Sequence, residues 1–414
     1  MQKDDFLKPI KWHDDPKSAA IGARKSNDAR HASGWPRRQR KQPQHGYRSL
    51  GNLPARFDER GIAVVLALAT MLMVVTAALE FHLNQRRSMI HAAMLRDRAT
   101  LAQMGASAIH LGMAMLIKDR LETESDSLQE DWADAQTVAA ALAEIPFEDG
   151  KLDLKITDEL GKIQINALVQ FPGGQQMVNS QRQIWERFGA NLLSLLESSE
   201  EAGKDDMDSD PLMILNCIKD WLDSGDDDAT TGLSGAESDY YQSLDPPYAS
   251  KNGPFDHLSE VALVKGITPE IFFGAGGVAG LQQYITVYGA EKAADEKFTF
   301  AGKVNINTAE LPVLAALLPL ESADFASLLV EYREATSGSL YTNDVTRIDW
   351  YKNVPGLAGL EIDPGVVSVS SHVFRLTATA SLNNVRVVTT AVVERVKPLE
   401  TDPWQCKILN WKTE

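Results

Sequence analysis

The chain is 414 residues long and 44 % hydrophobic, with 57 acidic against 41 basic side chains. That length exceeds one ordinary domain and leaves ample chain to bury a core. Residues 1–60 hold 14 Lys/Arg and 7 Asp/Glu, so the remainder carries a net −23, which repels a phosphate backbone and argues against nucleic acid as a partner. Two cysteines, Cys217 and Cys406, are too few for a disulfide framework or a zinc site, though an oxidising compartment would let them form one bridge.

Ile62 to Leu79 is an uncharged apolar run of 18 residues, close to the roughly 20 needed to cross a hydrocarbon core of ~30 Å. A buried core helix of that length would carry a polar stripe, so a single membrane span is expected. Arg56 and Arg60 favour a cytoplasmic N-terminus, and Arg86 and Arg87 on the far side weaken that asymmetry. A secretory signal peptide places its cleavage site after a shorter apolar region. Here the punctuation comes first. Arg60-Gly61 followed by Ile62 resembles the site cut by prepilin peptidase, which removes a basic leader and leaves the apolar helix as the new N-terminus. Pilin-like proteins usually carry Glu at the fifth mature position, to neutralise a neighbouring subunit's α-amino group inside the membrane. Counted from Ile62, that residue is Leu66, so the usual pairing in lipid is lost.

Beyond the membrane run, Ile90, Met94, Leu101, Met104, Ala108, Leu111 and Met115 keep near-heptad spacing, interrupted only by Asp97. The spacing predicts a helix continuing to about residue 120 and packing its outer half on a sheet. Lys151–Asn166 alternates apolar and polar residues on both sides of a turn at Asp158–Gly161 and reads as a β-hairpin. Val373–Val396, with a turn at Asn383-Asn384, reads as a second hairpin, and Trp404–Trp411 as an added edge strand.

Between the hairpins the period changes. Ile184–Leu196, Leu212–Leu222, Ser259–Val264 and Leu311–Leu318 have helical spacing, separated by Gly, Pro and Asp clusters. The predicted fold is α+β: an N-terminal transmembrane helix extended as a stalk on a pilin-like antiparallel sheet, with a large all-α domain inserted between the strands. The boundaries are a leader at 1–61, a membrane segment at 62–79, helix and first sheet part at 80–172, insertion at 173–362, and second sheet part at 363–414.

Asp220, Asp223, Asp226, Asp227 and Asp228 fall within nine residues, and Glu237 lies nine further on. Hard oxygen ligands at this density suit Ca²⁺ in an irregular loop. An EF-hand register beginning at Asp226 fails where Thr231 stands in place of the required Gly. A solvated acidic loop is the plainer reading of the composition.

No catalytic constellation emerges. Gly232-Leu233-Ser234-Gly235-Ala236 lacks one Gly of a nucleophile elbow and follows no strand. His82, His91, His110, His257 and His372 are scattered without ligand spacing. Trp221, Tyr240 and Tyr241 suit the helical core better than a sugar site.

The stretches DWLDSGDDD (220–228), GAESDYY (235–241), PPYASKNGPFDHLSEVALVKGI (246–267) and VNINTAELPVLAAL (304–317) resemble the K-class minor pseudopilin family of type II secretion systems, and the order of parts is similar across most of residues 60–414. The leader, at 61 residues, departs from the short leaders usual in that family. The resemblance implies calcium in the helical domain, held among Asp220, Asp223, Asp226, Asp227, Asp228 and Glu237. It implies cleavage after Gly61, an inner-membrane helix starting at Ile62, and a periplasmic body joining other minor pseudopilins at a filament tip. Prepilin peptidase, exported substrate and the outer-membrane channel follow as further partners. VNINTAELPVLAALLPL also resembles a helix-hairpin-helix DNA-binding module, but Pro319-Leu320-Glu321 replaces its Gly-rich turn and the chain is acidic. The rival reading is an uncleaved single-pass protein with a calcium-dependent periplasmic binding domain.

Overall fold

The computed structural model describes residues 59–147, 149–198, 210–225, 230–292, 297–338, 340–399 and 401–414. They divide into one unit ending at Val75 and another running Thr76–Glu414. Helix α1 spans Glu59–Glu122. Among the described residues it is the one helix long and apolar enough to cross a membrane. Every residue from Gly61 to Arg96 is exposed, including Ile62, Leu66 and Leu79, as a lipid-facing segment requires.

In the second unit, β1 (Lys151–Asp158), β2 (Val373–Leu382), β3 (Val385–Val396) and β4 (Gln405–Thr413) form an antiparallel sheet in the order β1-β2-β3-β4. The β2–β3 hairpin closes at Asn383, whose φ of 53° lies in the left-handed region that Asn tolerates. The C-terminal segment takes the edge beside β3, as expected. The hairpin expected at Lys151–Asn166 does not form. Strand β1 pairs with β2 from Lys151↔Ser381 to Asp158↔Phe374, while Ile163-Gln164 pairs in parallel with Ile285-Thr286. The turn does not fold back because its side chains face elsewhere: Asp158 accepts hydrogen bonds from Asn305 and Thr308, 147 and 150 residues downstream.

One sheet face presents Leu154, Ile156, Phe374, Leu376, Ala378 and Ala391 to Ala108, Ile109 and Leu116 of α1. Helix α2 (Ala135–Ala143), capped by the Asp134 carboxylate on the Thr137 amide at 2.8 Å, adds Val138 and Leu142 to the same core. The buried stripe of α1 differs from the expected one. It runs Asp97, Leu101, Met104, Gly105, Ala108, Ile109, Gly112, Leu116, Asp119, with Ile90 and Met94 exposed and Leu111 and Met115 half-buried. An apolar count overlooks Gly, yet Gly105 and Gly112 set the contact: a Cβ on Gly112 would meet Leu376 Cδ2 at 2.5 Å and Leu154 Cδ2 at 3.1 Å. Asp97, the polar break in the stripe, receives the Asn383 side-chain amide at 3.0 Å and so fixes α1 to the hairpin turn.

Between β1 and β2 lie helices α3 (Asn179–Glu197), α4 (Pro211–Leu222), α5 (Ser238–Gln242), α6 (Pro269–Phe273), α7 (Leu281–Tyr284), α8 (Leu311–Leu317) and α9 (Ala326–Glu334). The stretch expected as helical at Ser259–Val264 is instead a 3₁₀ segment, Leu258–Leu263, capped by Val264. Trp185 and Phe188 of α3, Ile214 and Ile218 of α4, and Val313 and Leu314 of α8 share one buried cluster reaching from Ile163 to Val367. Two-residue ladders stud this region, among them the parallel pair Val304-Asn305 and Val367-Ser368.

The close approach of α1 to the sheet yields a prediction. Gly112→Leu overpacks the helix–sheet seam and lowers stability by about 1–3 kcal/mol, measured by denaturant unfolding. A midpoint equal to that of the parent chain would mean the seam has room to spare.

Candidate functional site

Three of the expected acidic residues converge. Asp220 lies in the last turn of α4, Asp223 caps that helix, and Glu237 precedes α5. All three are buried, and a carboxylate oxygen from each lies within 4.8 Å of the others. Asp226, Asp227 and Asp228 lie outside the described residues.

Asp220 is held by backbone amides: Ala236 donates to Oδ2 at 2.9 Å, and Thr231 donates to both oxygens at 3.1 Å. That cradle requires Gly235, whose added Cβ would sit 2.0 Å from Asp220 Oδ2. The Lys219 ammonium hydrogen-bonds Asp223 and lies 3.9 Å from Asp220 Oδ1. A positive group thus already rests against the cluster. Convergent hard oxygens, one pair of them held by backbone amides, fit a divalent cation such as Ca²⁺, with Lys219 as its competitor. Aromatic packing braces the site: Trp221 stacks on Phe255 at 6.1 Å and meets Tyr241 edge-on at 5.1 Å. Tyr241 is fully buried, while Tyr240 is partly exposed and holds Lys265 over its ring at 4.6 Å. These aromatics belong largely to the helical core.

Gly61 and Ile62 lie in α1, both exposed. Cys217 and Cys406 are free thiols rather than a bridge. Cys217 donates to Ser234 O in the insertion, whereas Cys406 donates to Met113 O beneath the sheet edge. Burial pushes each thiol up to about 11.

A second charged group had no motif to announce it. Arg395 of β3 donates to Asp119 Oδ2 at 3.0 Å, to Leu116 O at 3.0 Å and to Ser371 O at 2.7 Å, and also to the Asp126 carboxylate. Its guanidinium lies 4.7 Å from the centre of the Phe374 ring. Glu130 faces the same group, receiving Trp132 Nε1 at 2.7 Å and the Ser127 amide at 3.1 Å. From the insertion, Asn305 donates to Asp126 O at 2.9 Å and to Asp158 Oδ2 at 2.9 Å, and Asn307 donates to Val345 O at 3.1 Å. Both asparagines stand in the VNINT stretch, so the part that resembles a DNA-binding module is here a structural joint. Here Arg395 supplies the positive charge among the carboxylates.

Residues 161–290 match the family model described as Type II secretion system (T2SS), protein K. The Type II secretion system protein K of Klebsiella pneumoniae is 27 % identical over 290 residues, taking in 68 % of this chain and 77 % of that protein. The protein of the same name from Aeromonas hydrophila is 28 % identical over 195 residues, or 46 % of this chain and 49 % of that one. Among solved structures, the crystal structure of the GspK-GspI-GspJ complex from the enterotoxigenic Escherichia coli Type 2 Secretion System contains a chain of similar fold. It matches with a TM-score of 0.52 and 18 % identity over 78 % of this chain and 99 % of that one.

Proposed function

We propose that this chain, which is similar to type II secretion system protein K in residues 161–290 and to relatives of that name, works as a minor pseudopilin at the tip of a pseudopilus. The observation that carries the reading is the protein K region, residues 161–290, borne between two strands of a sheet that packs on a long helix with an apolar start. Prepilin peptidase cuts after Gly61, the helix from Ile62 stays in the inner membrane, and the acidic body stands in the periplasm beside other minor pseudopilins. The solved GspK-GspI-GspJ complex, one chain of which has a similar fold, supports that partnership. In this reading the helical insertion would block another subunit from stacking above it. Leu66 cannot provide the carboxylate that a further subunit's amino group would need in lipid. Both features suit an initiator or cap of a filament that helps drive folded proteins through the outer-membrane channel.

Asp220, Asp223 and Glu237 would hold calcium, with Asp226, Asp227 and Asp228 as further oxygen donors. When bound, the ion neutralises carboxylates that otherwise repel one another. The chain's own part is to aim Asp220 through the Thr231 and Ala236 amides and to brace the loop on Trp221. Its role is structural, with no bond made or broken.

Two outcomes test this reading. Gly61→Ala leaves the chain at its unprocessed mass and fails to restore secretion in a strain lacking the native gene. Normal size and secretion with that variant would favour the uncleaved single-pass reading. Calcium at a hundredfold excess over Kd stabilises the parent chain by about 2.7 kcal/mol, a gain absent in Asp220→Asn by thermal unfolding. An equal response in both would remove calcium from this site.

A further inference from the structure

The charged joint described above lies where the chain leaves and re-enters the sheet, and its composition is unbalanced. Asp119 comes from the end of α1, Asp126 and Glu130 from the loop after it, and Arg395 from β3. A carboxylate oxygen from each acid lies within 4.8 Å of the others. Asp126 is fully buried and Arg395 is 3 % exposed. Glu130 is half-buried, and Asp158 of β1 adds a third buried carboxyl to Asp119 and Asp126, sharing Ser371 and Asn305 with the group. From β4, Cys406 contributes only a neutral thiol. One guanidinium cannot neutralise that many buried carboxylates. In a low-dielectric site like charges this close do not all ionise, so protons must be held in the cluster.

The same loop is the fastening of the insertion. Asp126 N donates to Val369 O at 2.8 Å, Gln129 donates to Arg333 O at 2.7 Å and Asn343 O at 3.2 Å, and Tyr341 donates to Leu128 O at 3.2 Å. Asn305 and Asn307 close the other side on Asp126 O. A change in the cluster's charge therefore acts on the bonds that hold the helical region to the sheet.

We propose that Asp119, Asp126 and Glu130, gathered on Arg395, form a proton-dependent latch that fastens the helical insertion to the sheet when protonated and loosens when the shared proton leaves. Burial drives Asp126 up from its ordinary 3.8 to about 7, opposed by Arg395 and the Ser371 amide and aided by Asp158 and Asp119. Burial likewise raises Glu130, with the Asp119 charge adding to it, and raises Asp119 against the pull of Arg395. The sign follows from linkage. Groups whose folded-state values are raised stabilise the closed form fully below the ordinary carboxylate range, and that contribution is lost as pH rises through about 7. Glu159 is held low, at about 2, because Lys162 and Arg375 outweigh its burial, so it contributes no change in that window.

The test is hydrogen exchange of the full chain in detergent across pH 5 to 8, corrected for the intrinsic rate. Protection of the Asp126 and Ser371 amides falls by up to about tenfold per pH unit for each proton released, while α4 in the insertion core keeps its protection. Glu130→Gln, which keeps the shape and removes one titrating group, flattens that slope, and Asp119→Asn does the same by an independent route. Asp131→Asn, an exposed neighbour paired with Lys118, keeps the parent slope. Equal slopes in the parent, Glu130→Gln and Asp119→Asn would overturn the latch, as would Asp126 and Ser371 protection that is constant with pH.

Discussion

Arg395 is the interaction on which the architecture of the body turns. A helical region inserted between two strands has only two covalent crossings to its host: the return, through Ser371 to Val373, lies against one buried guanidinium, and the departure after Asp158 is tied to it through Ser371, whose hydroxyl donates to Asp158 Oδ2. Arg395 binds the end of α1 through Leu116 O and Asp119, the following loop through Asp126, and the return through Ser371 O. Such a hub favours one arrangement of helix, sheet and insertion, because a partner taken away leaves a buried charge unmatched, at a cost of about 3–5 kcal/mol. Its benefit is geometric more than energetic, since desolvating the ions offsets much of their attraction.

From this hub the remaining structure separates into two kinds of packing. Along α1, exposure from Gly61 to Arg96 gives way to burial at Asp97, and glycine at 105 and 112 brings the sheet against the helix backbone. The insertion instead builds a separate apolar cluster from Ile163 to Val367 and gathers the buried Asp220, Asp223 and Glu237 at the end of α4 and the start of α5. The buried stripe of α1 and the three acidic residues therefore rest on different cores, and the polar joint ties those cores together beside a small apolar cluster of Leu160, Val373 and Val392.

Features with a local cause were legible in the sequence. The apolar run at 62–79 identified the membrane candidate, and the alternation around Asn383-Asn384 identified the β2–β3 hairpin. Asp220, Asp223 and Glu237 stood out because carboxylates at that density are rare, and they do meet in space. What escaped was set by distant partners. The turn at Asp158–Gly161 has the composition of a hairpin, but Thr308 and Asn305 capture Asp158 from far along the chain. The stripe of α1 shifted because glycine carries no apolar signal although it marks the closest contact. Asp119, Asp126, Glu130 and Arg395 are spread over more than 270 residues and are individually ordinary; a hint lay in an arginine within the Val-rich run of β3, where an unpaired charge could not be buried.

Cleavage after Gly61 would make the apolar helix the start of the mature protein rather than the anchor of an intact chain. The most direct measurement is the N-terminal sequence and intact mass of the protein extracted from membranes of a host with active prepilin peptidase. The expected result is a chain starting at Ile62, and a chain still starting at Met1 would overturn the proposed processing.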